Sequence, residues 1–381
     1  MNTVQNVFNV FCPNYYKENN LCSQQLKAAH AIMNCRTGAM GINVSVCDDC
    51  GYESMHYNSC RNRHCPLCQI VNRDVWADER CEDTINAPYF HLVFTIPEQL
   101  RMVVFQNKKI LYALLYKATA DTIFELTKNK KYLGAKTGFF SLLHTWGQDL
   151  HYHPHIHTAI VGGGLTETGQ WLSCGKKFFI PVRVLAKLFR GKFLAALKSL
   201  YDKHSLEFFG HLCYLKDPIA FNSLLKEVYS INWYVYTKHA FSSPQMVVKY
   251  LANYTHRIAI ANSRIVSIGE CTVTFKVRDR NEAGNTKLLT IDGIEFVRRF
   301  LMHVLPKGFV KIRYYGVLAV RNRKTLLILC QKLTCTTLYI SKLKGLKTTE
   351  ILFVLFGKDV TLCPCCGTGK LVPLNDSCRS P

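Results

Sequence analysis

The stretch HYHPHIHTAIVGGG, residues 151–164, carries His151, His153, His155 and His157 at alternate positions. Imidazole is the commonest nitrogen ligand for metal ions, and a β-strand turns residues i and i+2 to one face. Pro154 cannot donate to a ladder and is expected to open the strand. His155 and His157 then share a face with Ala159 and Val161, while His151 and His153 lie in the entering turn. His144, in FFSLLHTWGQ on the expected partner strand, is the candidate third ligand; His153, Gln148 and His91 compete with it. Three protein ligands leave room for a substrate oxygen, as a catalytic ion requires.

A second constellation is MVVKYLANYTHRIAIANSR, where Tyr250 and Tyr254 stand four residues apart and share one helical face. A tyrosine oxygen is a poor nucleophile at its ordinary pKa near 10, but it can attack a phosphodiester whose phosphorus a metal has made electrophilic. With 19 tyrosines in the chain, the spacing alone also fits an aromatic stripe facing a core.

A third is CDDCGYESMHYNSCRNRHCPLC, with Cys47-x2-Cys50 and Cys65-x2-Cys68 separated by 14 residues. Zn²⁺ asks for four soft ligands at tetrahedral corners, and each C-x-x-C turn supplies two. Cys47, Cys50, Cys65 and Cys68 are therefore the expected ligands of a structural zinc. Cys60, His64 and His56 lie in the same loop and could vary the set or hold a second ion. Near the C-terminus CPCCGTGKL offers Cys363-x2-Cys366, with Cys365 and Cys378 nearby, which reads as a partial knuckle.

The elements that must carry these residues are mixed. A helix is expected around SQQLKAAHAIMNC, a strand in YFHLVFTIP, and a helix over 101–131. GFFSLLHTW and HIHTAIVGGG read as an antiparallel strand pair. Helical stretches follow over about 181–209 and in SPQMVVKYLANY, with Ser243 as N-cap and Pro244 at the first helical position. CTVTFKVRDRNEAGNTKLLTI reads as a hairpin and GIEFVRRFLMHVL as a helix. The sum is an α+β fold, divided into 1–85, a cysteine-rich and largely loop-like stretch after its early helix; 86–265; and 266–381.

A chain of 381 residues with 48% apolar content can fill cores. Its apolar runs are too short to cross a bilayer and its start lacks a signal-peptide pattern, so a soluble protein of the cytoplasm, associated with the nucleoid, is expected. With 48 Lys and Arg against 26 Asp and Glu, the net charge is +22; residues 231–381, with 23 basic and 8 acidic side chains, hold most of it. Such a balance attracts a polyanion, nucleic acid first. Arg61 and Arg63, with Arg257 and Arg264 beyond the tyrosines, are candidate phosphate contacts. Gly162, Gly163 and Gly164 most simply end their strand in a turn, or else admit close approach of a DNA backbone. Eighteen cysteines without a secretion signal point to metal rather than disulfides.

A His-hydrophobic-His strand followed by paired tyrosines on a helix resembles the HUH single-strand endonucleases. CRNRHCPLCQ, FHLVFTIPEQLR, LHTWGQDLHYHPHIH, YLANYTHRIAIANSRI and FVRRFLMHVLPKGFVKIRYYG occur in this order over residues 25–320. Together they resemble the two-tyrosine rolling-circle transposases of the insertion-sequence 91 family. The resemblance implies a small N-terminal zinc-binding domain and an HUH-type antiparallel sheet with flanking helices. It implies Mg²⁺ or Mn²⁺ on His155, His157 and a third ligand, and Tyr250 and Tyr254 as nucleophiles. It further implies nicking and rejoining of single-stranded DNA at the ends of an insertion sequence and at the target, through a 5′-phosphotyrosine link. A relaxase or replication initiator would share this chemistry; a non-enzymatic zinc-finger regulator would leave histidines and tyrosines idle.

Overall fold

In the computed structural model, which describes residues 2–174, 180–238, 243–255, 259–278 and 285–374, the chain begins with a helix absent from the sequence expectations. This is α1 (Val4–Glu18), capped by Thr3, whose side chain accepts from the Asn6 N–H while the Asn6 side chain accepts from the Thr3 N–H. Val4, Val7, Phe8, Phe11, Cys12 and Tyr15 recur at helical spacing and are buried. After α2 (Ser23–Met33) come β1 (Ile42–Cys47), β2 (Glu53–Tyr57) and α3 (Gln69–Cys81), so the cysteine-rich stretch is less loop-like than its composition implies.

Next are β3 (Tyr89–Thr95), α4 (Arg101–Gln106) and α5 (Lys108–Lys128). The single helix expected over 101–131 breaks at Asn107, whose side chain leaves the helix axis to bond the Glu207 backbone at both N–H and carbonyl. Then follow β4 (Lys136–Trp146), β5 (Tyr152–Leu165), β6 (Trp171–Ser173), α6 (Val182–Asp202), α7 (Pro218–Ser230), β7 (Val235–Lys238) and α8 (Pro244–Thr255). The chain closes with β8 (Ile265–Ile268), β9 (Thr272–Arg278), β10 (Thr286–Asp292), α9 (Gly293–Met302), β11 (Ile312–Gly316), α10 (Ile328–Leu333), α11 (Thr348–Phe356) and β12 (Leu371–Pro373).

The central sheet has the order β11-β4-β5-β3-β7, with β6 added to β5 and every pair antiparallel. Alternation divides its side chains cleanly. Phe90, Leu92, Phe94, Leu143, Ile156 and Ile160 face α5 and α6 in one core. Tyr89, Phe140, Leu142, Ala159 and Val161 face α3 and α8 in another. Each fully buried Phe, Leu or Ile contributes roughly 1.5–3 kcal/mol, so both faces are firmly held, and polar side chains on the α8 face lie on a rigid platform.

A smaller sheet, β10-β9-β8, packs with α1, α2 and α9. Phe8 meets Phe300 edge-on at 5.0 Å, and a side chain on Gly293 would stand 2.4 Å from the Phe11 ring. The third sheet, β12-β1-β2, joins the two ends of the chain. In space the stretches 1–85, 86–265 and 266–381 therefore interleave: β11 closes an edge of the central sheet and β12 pairs with β1. Among the described residues no helix is long and apolar enough to cross a membrane.

Candidate active site and cysteine tetrads

The strand pair β4/β5 sets His144 directly opposite His155, and Leu142 opposite His157. All three histidines therefore lie on the face covered by α8. Pro154, expected to open β5 for want of an N–H, does not: the strand begins at Tyr152, and Pro154 sits where the register slips between the His144–His155 and Trp146–Tyr152 pairs. A bulge tolerates proline because the extra residue is unpaired. It also brings the His153 carbonyl to 2.6 Å from His155 Nδ1, which holds the proton on Nδ1 and leaves the Nε2 lone pair free. That Nε2 stands 3.0 Å from His144 Nδ1 and 3.0 Å from His157 Nε2, and the three ligand atoms form one cluster. His91 lies behind it, with Nε2 2.8 Å from His157 Nδ1 and its ring stacked on that of His157.

Burial keeps these imidazoles neutral. It pushes His155 down to about 3 and His91 down to about 4, and holds His144 and His157 well below the usual value; Lys238 acts in the same sense on His91, and the neighbouring histidines do so on the other three. Neutral rings are the form that binds a metal ion.

The glycines after the histidines neither turn the chain nor open a path to solvent. Gly162, Gly163 and Gly164 stay in β5, where a side chain would strike Phe90 at 2.7 Å, Trp171 at 2.5 Å and the Lys136 backbone at 2.9 Å. Their smallness serves packing.

α8 lays both tyrosines over the histidines. Tyr254 stacks on His157 with centroids 4.9 Å apart and meets His144 edge-on at 5.6 Å. Tyr250 meets His91 at 5.5 Å, and the two hydroxyls are 3.2 Å apart. Burial raises Tyr250 above its ordinary value, and the Tyr254 hydroxyl adds to the shift. Lys238 Nζ, from edge strand β7, lies 5.3 Å from the centre of the Tyr250 ring. Lys311, buried just before β11, donates from Nζ to the Tyr254 carbonyl at 2.9 Å. A cation at the last turn of α8 suits the helix dipole and anchors the tyrosine helix; burial pushes this ammonium down to about 7.

A cleft of about 620 Å³ opens over the cluster. Its lining includes His144, His153, His155, His157, Tyr254 and Gln148, and a wall from the small sheet that carries Arg264, Lys276 and Arg278. No carboxylate is among its described lining residues, so the cleft suits an anion. Arg264 reaches it while bonding the carbonyls of Lys276 and Gln148. Arg257 lies outside the described residues. Arg61 is exposed, with φ at 50°. Arg63, expected to hold phosphate, instead donates to the Phe309 carbonyl at 2.7 Å.

The cysteines divide differently from the expected set. Cys65 and Cys68 join Cys60 and Cys35, whereas Cys47 and Cys50 join Cys363 and Cys366. In the first tetrad Sγ of Cys68 is 3.5 Å from that of Cys35 and 3.6 Å from that of Cys60. Sulfurs bound tetrahedrally at about 2.3 Å stand about 3.8 Å apart, so the spacing fits one ion. His64 takes no part: Nδ1 pairs with Asn62 Oδ1 and Nε2 accepts the Leu305 N–H.

His64 and His303 both bridge backbone and side chains in the interior, and burial pushes each down to about 3. Their ordinary value is 6.5. Below it the unfolded chain takes up protons that the folded chain refuses, so the stability present above pH 6.5 is lost progressively toward about 3, by ~1.4 kcal/mol per pH unit for each histidine. The melting temperature is expected to fall by a few degrees from pH 7.5 to 5.5; a flat profile would contradict neutral burial.

A family of transposase zinc-binding domains matches residues 7–96, and a family described as "Putative transposase" matches residues 138–325. The chain is 40% identical over 357 residues, 93% of its own length and 90% of the relative's, to "Putative transposase y4qJ" of Sinorhizobium fredii (strain NBRC 101917 / NGR234). The chain belongs to the insertion-sequence 91 family of transposases. A second relative, "Transposase for insertion sequence element IS801" of Pseudomonas savastanoi pv. phaseolicola, is 26% identical over 309 residues, covering 80% of this chain and 73% of its own. No solved structure gives a significant match.

A transposase acts on DNA, which accounts for the +22 charge and the basic cleft wall. Its N-terminal part is a zinc-binding domain, and the tetrad Cys35, Cys60, Cys65 and Cys68 lies wholly inside the matched residues. Three residues of this transposase escape motif reading. Cys35 has no cysteine three positions away to mark it, Lys311 is one of 48 cations, and His91 is singled out only as a rival ligand.

Proposed function

We propose that this transposase cuts and rejoins single-stranded DNA through a covalent link between a tyrosine and a 5′-phosphate, and that it moves its element by rolling-circle transposition. The observation that carries this reading is the stacking of Tyr254 on His157 at 4.9 Å, with the Tyr250 hydroxyl 3.2 Å from that of Tyr254. One candidate nucleophile, Tyr254, thus lines the cleft with three neutral imidazoles, and the hydroxyl of the second, Tyr250, stands beside it.

The donor set fits a divalent cation. Nitrogens about 2.1 Å from an ion stand about 3.0 Å apart at adjacent corners of an octahedron and about 3.4 Å apart in a tetrahedron; His155 Nε2 stands 3.0 Å from each of its two neighbours. His144, His155 and His157 would hold Mg²⁺ or Mn²⁺, and His91 and the His153 carbonyl orient two of those rings from behind. When bound, such an ion supplies Lewis acidity to a phosphate oxygen, and the unfilled corners suit the oxygen ligands that hard cations require.

The chain's own groups do the rest. One tyrosine oxygen attacks phosphorus, the bond from phosphorus to the 3′-oxygen breaks, and that oxygen takes a proton to leave a 3′-hydroxyl. The phenol proton passes to solvent. Because the phosphotyrosine bond keeps the energy of the broken diester, a 3′-hydroxyl can attack it in reverse and reseal the strand. Arg264, Lys276 and Arg278 on the cleft wall, with Lys238 at the opposite edge, would steer the phosphates. Tyr236, 60% exposed and paired in register with Val93 opposite His157, offers a ring on the histidine face for an unstacked base.

Incubation with single-stranded oligonucleotides from the element's own ends and Mn²⁺ is expected to give a denaturation-resistant protein–DNA band. No band with any end oligonucleotide would sink the reading and favour a non-enzymatic binder.

A further inference from the structure

The cysteines left over from the first tetrad come from opposite ends of the chain. Cys47 Sγ lies 3.7 Å from Cys366 Sγ, and Cys50 Sγ 3.6 Å from Cys363 Sγ. All four sulfurs form one group. The gaps are far too long for S–S bonds of about 2.0 Å and close to the roughly 3.8 Å separation of sulfurs around a tetrahedral ion.

The two C-x-x-C turns are built alike. Sγ of Cys47 receives the N–H of Asp49 at 3.4 Å and of Cys50 at 3.5 Å; Sγ of Cys363 receives that of Cys365 at 3.4 Å, and Sγ of Cys366 that of Gly369 at 3.2 Å. Such donors stabilise thiolate over thiol. Each turn ends on a glycine in the left-handed region, Gly51 at φ 71° and Gly367 at φ 72°, a conformation that a side chain would oppose.

Around them the backbone is already joined. β12 pairs with β1 through Cys47–Leu371, Val46–Val372 and Ser45–Pro373. Lys370 N–H donates to Asp48 Oδ1 at 2.7 Å, and Thr368 Oγ1 to Asp49 Oδ2 at 2.7 Å. Yet this sheet has little apolar core of its own: Met55, Tyr57 and Val372 are 68%, 52% and 51% exposed, and the buried apolar side chains near the joint are Cys47 and Cys363. A small sheet without a core needs another source of stability, and a metal ion is the usual one.

We infer that Cys47, Cys50, Cys363 and Cys366 form a second Zn²⁺ site, distinct from the Cys35 tetrad, that fastens the C-terminal hairpin to the N-terminal domain. Two of its ligands lie beyond the residues 7–96 that match the zinc-binding domain family. Zn²⁺ replaces the thiol protons, which leave to solvent, and its tetrahedral preference selects it over hard cations.

Native mass spectrometry of the full, unaltered chain is expected to show two zinc ions per molecule. The double variant Cys363→Ser with Cys366→Ser should carry one, and its hydrogen exchange should rise over residues 361–373 and 42–57 while residues 60–68 stay protected. Cys35→Ser should lose the other ion and leave the C-terminal hairpin protected. One zinc in the unaltered chain, or two retained in the double variant, would overturn the inference, and the first of these measurements needs no variant to fold.

Discussion

Changing Tyr250 and Tyr254 together to phenylalanine is expected to abolish the covalent DNA adduct and all strand transfer while leaving the fold intact. Each change removes one oxygen and keeps the ring, so the stack of Tyr254 on His157 and the edge contact of Tyr250 with His91 persist; lost activity then reports chemistry and not a cavity. The single variants should divide the work. In the proposed cycle a cut at one end is followed by a second transfer while the first 5′-phosphate is still held, and two hydroxyls 3.2 Å apart suit such acting in turn. Each single variant should abolish or strongly reduce transposition, and at least one should still nick a single strand. Mass spectrometry that finds the DNA-linked peptide outside residues 250–254 would overturn the assignment.

The second large effect is expected from His155→Ala with His157→Ala. On the proposed mechanism, removing the ligands of a Lewis-acid ion should cost at least ~10³ in nicking rate, about 4 kcal/mol of transition-state stabilisation. Affinity for single-stranded DNA should change only a few-fold, since it comes mainly from Lys and Arg contacts to phosphate. Binding and single-turnover nicking measured on one preparation separate the two; nicking at the normal rate would make the histidine cluster structural. His91→Gln makes a milder comparison, because it alters what lies behind the His157 ring without touching the three nitrogens of the cluster.

Much of this arrangement was legible because local spacing maps directly onto geometry. Period two put His155 and His157 on one face, and the expected strand partner put His144 opposite them. Four-residue spacing put both tyrosines on one side of α8. What local spacing cannot carry is pairing between distant segments. Cys47-x2-Cys50 and Cys65-x2-Cys68 look like partners because 14 residues separate them, yet the first pair joins cysteines more than 300 residues away. Loop-closure entropy grows only with the logarithm of length, so nearness in sequence is a weak guide once both ends are anchored by folded structure. The bulge at Pro154 was hidden for a related reason: proline signals that the ladder is interrupted, and only the neighbouring strand reveals whether it stops or resumes. β11 lay in a stretch notable for charge, and its place beside β4 depends on a register that no periodicity records.

Because β11 pairs with β4 from beyond the β8–β10 sheet, the ribosome must deliver Gly316 before the histidine-bearing sheet has its full complement of strands. A product terminated between residues 255 and 310 would carry His91, His144, His155, His157 and both tyrosines, but would leave the β4 edge bare and omit the ammonium that ties down the tyrosine helix. Bare edges recruit other chains, so such fragments are destined for aggregation and proteolysis. A copy of the gene interrupted within that span is thereby expected to lose function although it still encodes the histidine cluster and both tyrosines.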